Sequence, residues 1–105
     1  MHTVPPLSIT EFAAKLTAQL IKRYPPELDN QPAKRPSVNR LARILEDACD
    51  KVVEYQAQMK LGWFGKARLS NKFRWNLLEA GYSKDFVKFA TEAIVVHISR
   101  KSVDT

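Results

Sequence analysis

The longest regular pattern in this sequence is a seam of apolar residues that recurs over three heptads. Its members follow each other at alternating intervals of three and four residues: Val38, Leu41, Leu45, Ala48, Val52, Tyr55 and Met59. This spacing predicts an α-helix that starts after an N-cap at Ser37 and ends near Leu61. A coiled coil between chains and a bundle within one chain share this spacing. Because a chain of 105 residues needs its longest helix for its own core, we expect the seam to pack within the chain.

Two further helices have clear start or stop signals. Ser8 and Glu11 have the spacing of a capping box, and the apolar positions that follow predict a helix to about residue 24. A later helix is predicted over about residues 66–80. It ends at Gly81, a residue type that favours the left-handed conformation after a helix.

The last helix is predicted to start from a cap at Ser83 and to be the most buried of the four. Its apolar residues cover about half of a helical wheel, which is typical of a helix packed on several neighbours. These residues are Phe86, Phe89, Ala90, Ala93, Ile94, Val96 and His97.

Two segments between helices contain residues that break regular structure. Residues 25–36 contain four prolines and predict an extended or irregular connector, in which Lys34 and Arg35 form a mobile basic arm. Residues 62–65, Gly-Trp-Phe-Gly, predict a short loop. The expected fold is all-α, a compact bundle of four main helices in a single domain over residues 1–105. Residues 1–7 and 102–105 are expected to be flexible.

Composition restricts the compartment and the class of partner. The net charge of +6 and a pI near 9.7 favour nucleic acid, an anionic membrane surface or an acidic protein as partner. Cys49 is the only cysteine, which excludes an internal disulfide and suits a reducing cytoplasm. The first residues lack the pattern of a secretory signal, and the longest apolar run, residues 93–96, is too short to span a bilayer. We therefore expect a soluble cytoplasmic protein that has no membrane partner.

Positive charge is concentrated in one stretch, residues 55–78, which contains no acidic residue. The other residues nearly balance, so this stretch supplies most of the net charge. Clustered cations repel each other unless an anion, most often a phosphate backbone, neutralises them. The residues predicted to contact phosphate are Lys60, Lys66, Arg68, Lys72 and Arg74, with Arg40, Arg43, Lys34 and Arg35 as second choices.

Large aromatic residues alternate with these cations. Trp63 and Trp75 are candidates for stacking on bases or for anchoring a partner protein. Three interpretations remain open: contact with nucleic acid, docking on an acidic or helical protein, and a solubilising charge pattern with both tryptophans in the core. No base-reading motif accompanies the stretch. A DNA-reading helix-turn-helix starting at Ser37 is disfavoured because a proline-rich segment precedes it.

The pattern needed for catalysis or metal binding is missing from the sequence. His97 lies in the apolar arc of the last helix, so a buried structural histidine is expected. Asp47 is expected to form i,i+4 pairs with Arg43 and Lys51 on a solvent face. The neighbouring acids interleave with these cations, so general acid–base catalysis is not expected of them; they are Glu46, Asp50 and Glu54. The sequence contains no phosphate-binding glycine loop and no metal-ligand motif. We expect neither an enzyme, nor a cofactor, nor a small-molecule substrate.

The C-terminal run Phe86-Val-Lys-Phe-Ala-Thr-Glu-Ala-Ile-Val-Val-His resembles the last helix of the small helical subunit of type III CRISPR (Csm) interference complexes. The matching residues are Phe86, Phe89, Glu92, Ala93, Ile94, Val95 and His97, and residues 37–45 resemble the helix that opens that fold. The resemblance implies a non-enzymatic, all-α subunit that acts in antiviral defence. It also implies that copies stack beside other subunits along a guide-RNA filament and touch its backbone without reading sequence.

Overall fold

The computed structural model describes the backbone of residues 7–103 and the side chains of residues 7–98. Within these residues the chain is helical and contains no strand. The helices are α1 (Ile9–Arg23), α2 (Pro26–Asp29), α3 (Val38–Met59), α4 (Trp63–Ala80) and α5 (Lys84–Val103), with a 3-10 turn at Pro32–Lys34. Helices α1, α3, α4 and α5 are the four main helices, so the predicted all-α bundle is confirmed.

The predicted helix caps are present. The Ser8 hydroxyl accepts a hydrogen bond from the Glu11 N–H at 3.1 Å, and the Glu11 carboxylate accepts one from the Ser8 N–H at 3.1 Å. These two bonds close the capping box. The hydrogen bond from the Ser8 N–H, with a smaller contribution from the Ser8 side chain, holds the pKa of the Glu11 carboxyl below its ordinary value. Ser37 and Ser83 cap α3 and α5 through their hydroxyls. Gly81 ends α4 with φ of 102°, a conformation that glycine adopts without strain.

The four main helices pack around one cluster of buried side chains. Helix α4 packs against α1 and α5, and α3 packs against α5 and α1. The Tyr55 hydroxyl near the end of α3 donates to the Leu7 carbonyl before α1, and the Phe12 and Tyr55 rings stack at 4.0 Å. At the other end, Arg23 of α1 pairs with Asp47 of α3 at 2.6 Å. Helices α1 and α3 are therefore antiparallel, as are α4 and α5.

The heptad seam of α3 faces this core. Leu45, Ala48, Val52 and Tyr55 are buried, and Leu41 and Met59 are partly buried against the same cluster. Ile44 and Cys49 are also buried, which widens the seam. The first seam position is the exception: Val38 is 80% exposed because it lies in the first turn of α3, before that helix reaches its neighbours.

Helix α5 is less enclosed than predicted. Phe86, Ala90 and Ile94 are buried as expected, but Phe89 and Val96 are about half exposed, at 50% and 48%. Val87 and Ile98 are buried as well, with Ile98 at 3% exposure. The buried face of α5 is therefore rotated around the helix axis relative to the predicted apolar arc. Helix α5 packs against α3 and α4, and its remaining side is exposed to solvent.

The predicted irregular connector is instead folded into short α2 and the 3-10 turn. Its Asp29 side chain is buried and accepts hydrogen bonds from the Tyr24 hydroxyl at 2.7 Å and the Ser83 N–H at 2.6 Å. Asn30 donates to the Gly81 carbonyl at 2.9 Å. The connector thereby joins the end of α1 to the start of α5. Proline at the first position of a helical turn is tolerated, which explains why prolines do not keep this segment extended.

The predicted loop at residues 62–65 is also wrong. Gly62 is the N-cap of α4, and Trp63, Phe64 and Gly65 form its first turn. The break between the helices lies earlier, where Lys60 caps α3 in the left-handed conformation with φ of 53°. A Cβ at position 65 would lie 3.1 Å from the Leu61 side chain, which favours glycine at this helical position. Gly65 allows close packing and does not break the helix.

The ends of the chain are described only in part. Most of the predicted flexible segments, 1–7 and 102–105, lies outside the described residues. Leu7 is described, and it packs against the core. The helices within residues 7–103 include none with the length and apolar character that crossing a membrane requires.

Asp29→Ala should lower the free energy of unfolding by about 3 kcal/mol, because it leaves the Tyr24 hydroxyl and the Ser83 N–H without their acceptor inside the protein. Urea unfolding followed by circular dichroism measures this loss. Asp50→Ala removes an exposed carboxylate of α3 and should change stability by less than about 0.5 kcal/mol. Equal effects of the two substitutions would contradict the role assigned to Asp29.

Stability should decrease at alkaline pH. Burial raises the pKa of Cys49 from 9.0 to about 11, and burial also raises the pKa of Tyr24, Tyr82 and Tyr55. These groups lose protons at lower pH in the unfolded chain than in the folded one, so their contribution is complete below about pH 9 and is lost as pH rises. Urea midpoints at about pH 8 and pH 10.5 measure the change. A midpoint that does not fall would contradict this account.

Candidate nucleic-acid interface

Helix α4 has a narrow buried stripe and a wide exposed surface. Leu69, Phe73 and Leu77 are buried at intervals of four residues and hold the helix against the core. The helix contains four basic residues and one acid, Glu79. Since the stripe occupies only one side, most of the charged residues of α4 must lie on the solvent side.

Arg68, Lys72 and Trp75 lie together on one flank of α4, which we call the outer face. The three residues are spaced four and three apart, so their side chains leave the helix on the same side. All three are exposed, and Trp75 has 52% of its surface accessible. Neither Arg68 nor Lys72 forms an ion pair within the described residues, so neither charge is neutralised by the fold.

Two other predicted contacts lie on the side of α4 that faces α5. Arg74 is about 160° from Lys72 around the helix axis, counting about 100° per residue. It lines a surface cavity of about 410 Å³ together with Lys84 and Lys88 of α5. Lys66 is partly buried and lines a second cavity with Trp63. The cations of α4 therefore spread widely around the helix, with the outer face on one side and Arg74 and Lys66 on the side that faces α5.

The tryptophans are on the surface, so the interpretation that placed both in the core is wrong. Trp63 is 76% exposed, and its ring meets that of Phe64, which is 81% exposed, edge to face at 5.0 Å. Trp75 has the Arg74 guanidinium 5.9 Å from its ring centroid, within range of a cation–π contact. Both indoles can therefore reach a partner.

The remaining predicted cations are divided between two places. Lys60 is exposed at the turn between α3 and α4, close to the basic stretch of α4. Arg40 and Arg43 are exposed on α3 and share a surface cavity with Arg23 and Asn39. They belong to the end of the bundle where α1 finishes and α3 begins.

The connector contains two cations, one with an exposed side chain and one that binds Asp29. Lys34 is exposed at the end of the 3-10 turn. Arg35 is held by Asp29: its Nε donates to the Asp29 carbonyl at 2.8 Å, and its guanidinium lies 3.9 Å from the carboxylate. Both residues thus belong to the folded connector, and the predicted mobile arm is wrong, although the Lys34 side chain is exposed.

The predicted pairs along α3 are replaced by contacts between helices. Asp47 binds Arg23 of α1 and not Arg43, and Lys51 donates to the Gln19 side chain of α1 at 2.5 Å. Because the antiparallel packing brings α1 beside this face of α3, partners from another helix compete with those one turn away. Arg43 is left exposed as a result.

The side chains considered for chemistry lie apart from the basic surface. Cys49 is buried, and its pKa of about 11 keeps the thiol protonated at neutral pH. His97 is only partly buried, less than expected. Within the described part of the chain, no three His, Cys, Asp or Glu side chains lie close enough together to hold a metal ion.

Two cations that the structure adds to the surface were missed by the sequence analysis. Lys84 and Lys88 lie outside the predicted apolar arc of α5, and no pattern in the sequence linked them to α4. The short turn at Gly81 makes α4 and α5 antiparallel neighbours, so the first turns of α5 lie beside the last turns of α4. Lys84 and Lys88 are four residues apart and directly follow the turn at Gly81. This position at the start of α5 is the signal that would have placed them beside Arg74.

Comparison of the chain with models of protein families, with curated proteins and with solved structures finds no match. The assignment of function therefore depends on the residues described above.

Trp63→Ala should change the free energy of unfolding by less than about 0.5 kcal/mol, because the side chain is 76% exposed. Trp75→Ala should cost about 1 kcal/mol, because about half of its surface is covered. Phe73→Ala, on the buried stripe of the same helix, should cost about 3–5 kcal/mol. Chemical denaturation of the three variants provides the comparison. A loss above about 2 kcal/mol in either tryptophan variant would place that indole in the core.

Proposed function

We propose that this protein binds the backbone of nucleic acid without reading its sequence, as a small non-catalytic subunit of a cytoplasmic ribonucleoprotein complex. The observation that carries the proposal is the outer face of α4, where Arg68 and Lys72 are exposed, unpaired within the described residues and adjacent to Trp75. Long cationic side chains on one accessible flank are what contact with successive phosphates requires.

The electrostatic balance supports an anionic partner. The chain carries a net charge of +6, and the only acid on α4 is Glu79, at the end of the helix. Bringing a phosphate backbone to this face relieves repulsion between neighbouring cations and releases condensed counterions from the nucleic acid. An exposed indole beside the cations can stack on a base or a ribose, which adds affinity that does not depend on sequence.

RNA, alone or paired with a guide, is the nucleic acid that we propose. The support comes from the resemblance of the run from Phe86 to His97 to the last helix of small Csm subunits, in which backbone contact without base reading is implied. The four-helix fold is compatible with such a subunit. In this proposal the protein works in antiviral defence beside other subunits, including copies of itself.

A second function is favoured by the exposed aromatic pair. Trp63 and Phe64 leave most of their surface uncovered, and tryptophan is a frequent anchor of protein interfaces. In this alternative the protein is an adaptor or inhibitor, and its basic-aromatic surface docks on an acidic protein.

Titration of a labelled single-stranded RNA at several salt concentrations tests the proposed function. Because Arg68, Lys72 and one or two neighbouring cations would replace counterions, the slope of log K against log salt should be about −2 to −3. Arg68→Glu/Lys72→Glu should weaken binding about tenfold or more at low salt.

The matched control is Lys15→Glu/Lys22→Glu. It changes the charge by the same amount on α1, where both lysines are exposed, so it should cost less than about threefold in affinity. Equal losses in the two double variants would show that net charge alone attracts RNA. Absence of RNA binding at low salt would reject nucleic acid as the ligand and favour the adaptor.

A further inference from the structure

We propose that the groove between α4 and α5 is a docking site for an acidic amphipathic helix of a partner protein. The groove is distinct from the outer face of α4 and is formed where the two antiparallel helices meet on the surface. Its wall on α4 runs from Trp63 to Leu78, and its wall on α5 runs from Lys84 to Ile98.

Two adjoining cavities give the groove the length of a short helix. One, of about 410 Å³, lies beside Arg74 and Thr91, and the other, of about 240 Å³, lies beside Ser70 and Val95. Ser70 and Arg74 are one turn apart on α4, as are Thr91 and Val95 on α5, so the cavities follow one another. At about 1.5 Å per residue the stretch from Trp63 to Leu78 is about 22 Å long, or about four turns of a docked helix.

The floor of the groove suits close packing against a helix. Small residues line it on both sides, which lets another backbone approach to the usual distance of about 8–10 Å. Larger apolar residues offer contacts to a docked helix. Val95, for example, lines the groove and is 45% exposed. The floor consists of Ala67, Ser70, Leu78, Val87, Thr91 and Val95.

Charge at the rim selects an acidic occupant. Arg74, Lys84 and Lys88 converge where α4 ends and α5 begins, and Glu92 is the acid that lines the same cavity. Within the described residues none of the three cations forms an ion pair. A phosphate backbone would satisfy these cations but would leave the apolar floor uncovered. A helix with an apolar stripe and acidic flanks satisfies both, which is how helices bind in grooves.

The inference does not depend on nucleic-acid binding. Arg68 and Lys72 point away from the groove, and Arg74 lies on its edge, so α4 can present one side to an RNA and the other to a protein helix. Arg74 and Lys66, which the sequence assigned to phosphate contact, belong to the groove in this arrangement.

A synthetic peptide tests the site directly. The probe is a fluorescent peptide of about four turns with leucine at helical intervals of three and four residues and glutamate elsewhere. The matched probe has the same composition in an order that has no apolar stripe. The amphipathic peptide should bind at least about tenfold more tightly, because only it can cover the groove floor.

Ala67→Arg tests whether the peptide binds through the shape of the groove or through charge alone. Ala67 is exposed on the groove floor, so arginine should be accommodated by the fold while its side chain fills the groove and adds a positive charge. Docking predicts about tenfold weaker binding of the amphipathic peptide in spite of the added charge. The control Ala57→Arg makes the same exchange at an exposed position of α3 and should bind as the unmodified chain does.

Variants at the two surfaces decide the outcome. Lys84→Glu/Lys88→Glu should weaken peptide binding about tenfold, while Arg68→Glu/Lys72→Glu should change it less than about threefold. Equal binding of the two peptides, or tighter binding to Ala67→Arg, would overturn the groove and indicate attraction by charge alone. Loss of peptide binding in Arg68→Glu/Lys72→Glu with retention in Lys84→Glu/Lys88→Glu would overturn it as well, by moving the peptide to the outer face.

Discussion

The arrangement of the bundle depends on the buried carboxylate of Asp29. A charge removed from water is stable only when hydrogen bonds and an opposite charge replace the solvent, and here the Tyr24 hydroxyl, the Ser83 N–H and the Arg35 guanidinium do so. These partners come from the end of α1, the start of α5 and the connector. One side chain therefore ties the end of α1, the connector and the start of α5 together. This contact holds the start of α5, and with it one end of the groove beside α4.

Helix α4 packs one side into the core and exposes the other to solvent. Its buried stripe of Leu69, Phe73 and Leu77 is narrow, so much of the helix surface lies outside the core and can carry charge. The cations on that surface have few acids near them, which favours association with an anion over internal pairing. The neighbouring helix then divides this surface into an outer face open to solvent and a groove shared with α5.

Local signals were predictable because they act within a few residues. The Ser8–Glu11 capping box, the serine caps of α3 and α5 and the left-handed Gly81 each involve contacts between residues close in the chain. Two of the incorrect predictions involve contacts between distant parts of the chain. The connector is folded with Asp29 bound to the Ser83 N–H, 54 residues further along the chain, and the buried face of α5 is set by its packing against α3 and α4.

From the amino-acid sequence alone follow the all-α class, the existence of four main helices and the concentration of positive charge around α4, because periodicity, capping and composition are properties of the chain itself. Which side chains share a surface was decided only by the tertiary structure. Arg68 and Arg74 lie six residues apart on one helix but face different directions. Arg74 and Lys88 line the same cavity because α4 and α5 are antiparallel. The physical reason is that a helix distributes adjacent residues around its axis, and only packing against other helices determines which of those directions remain open.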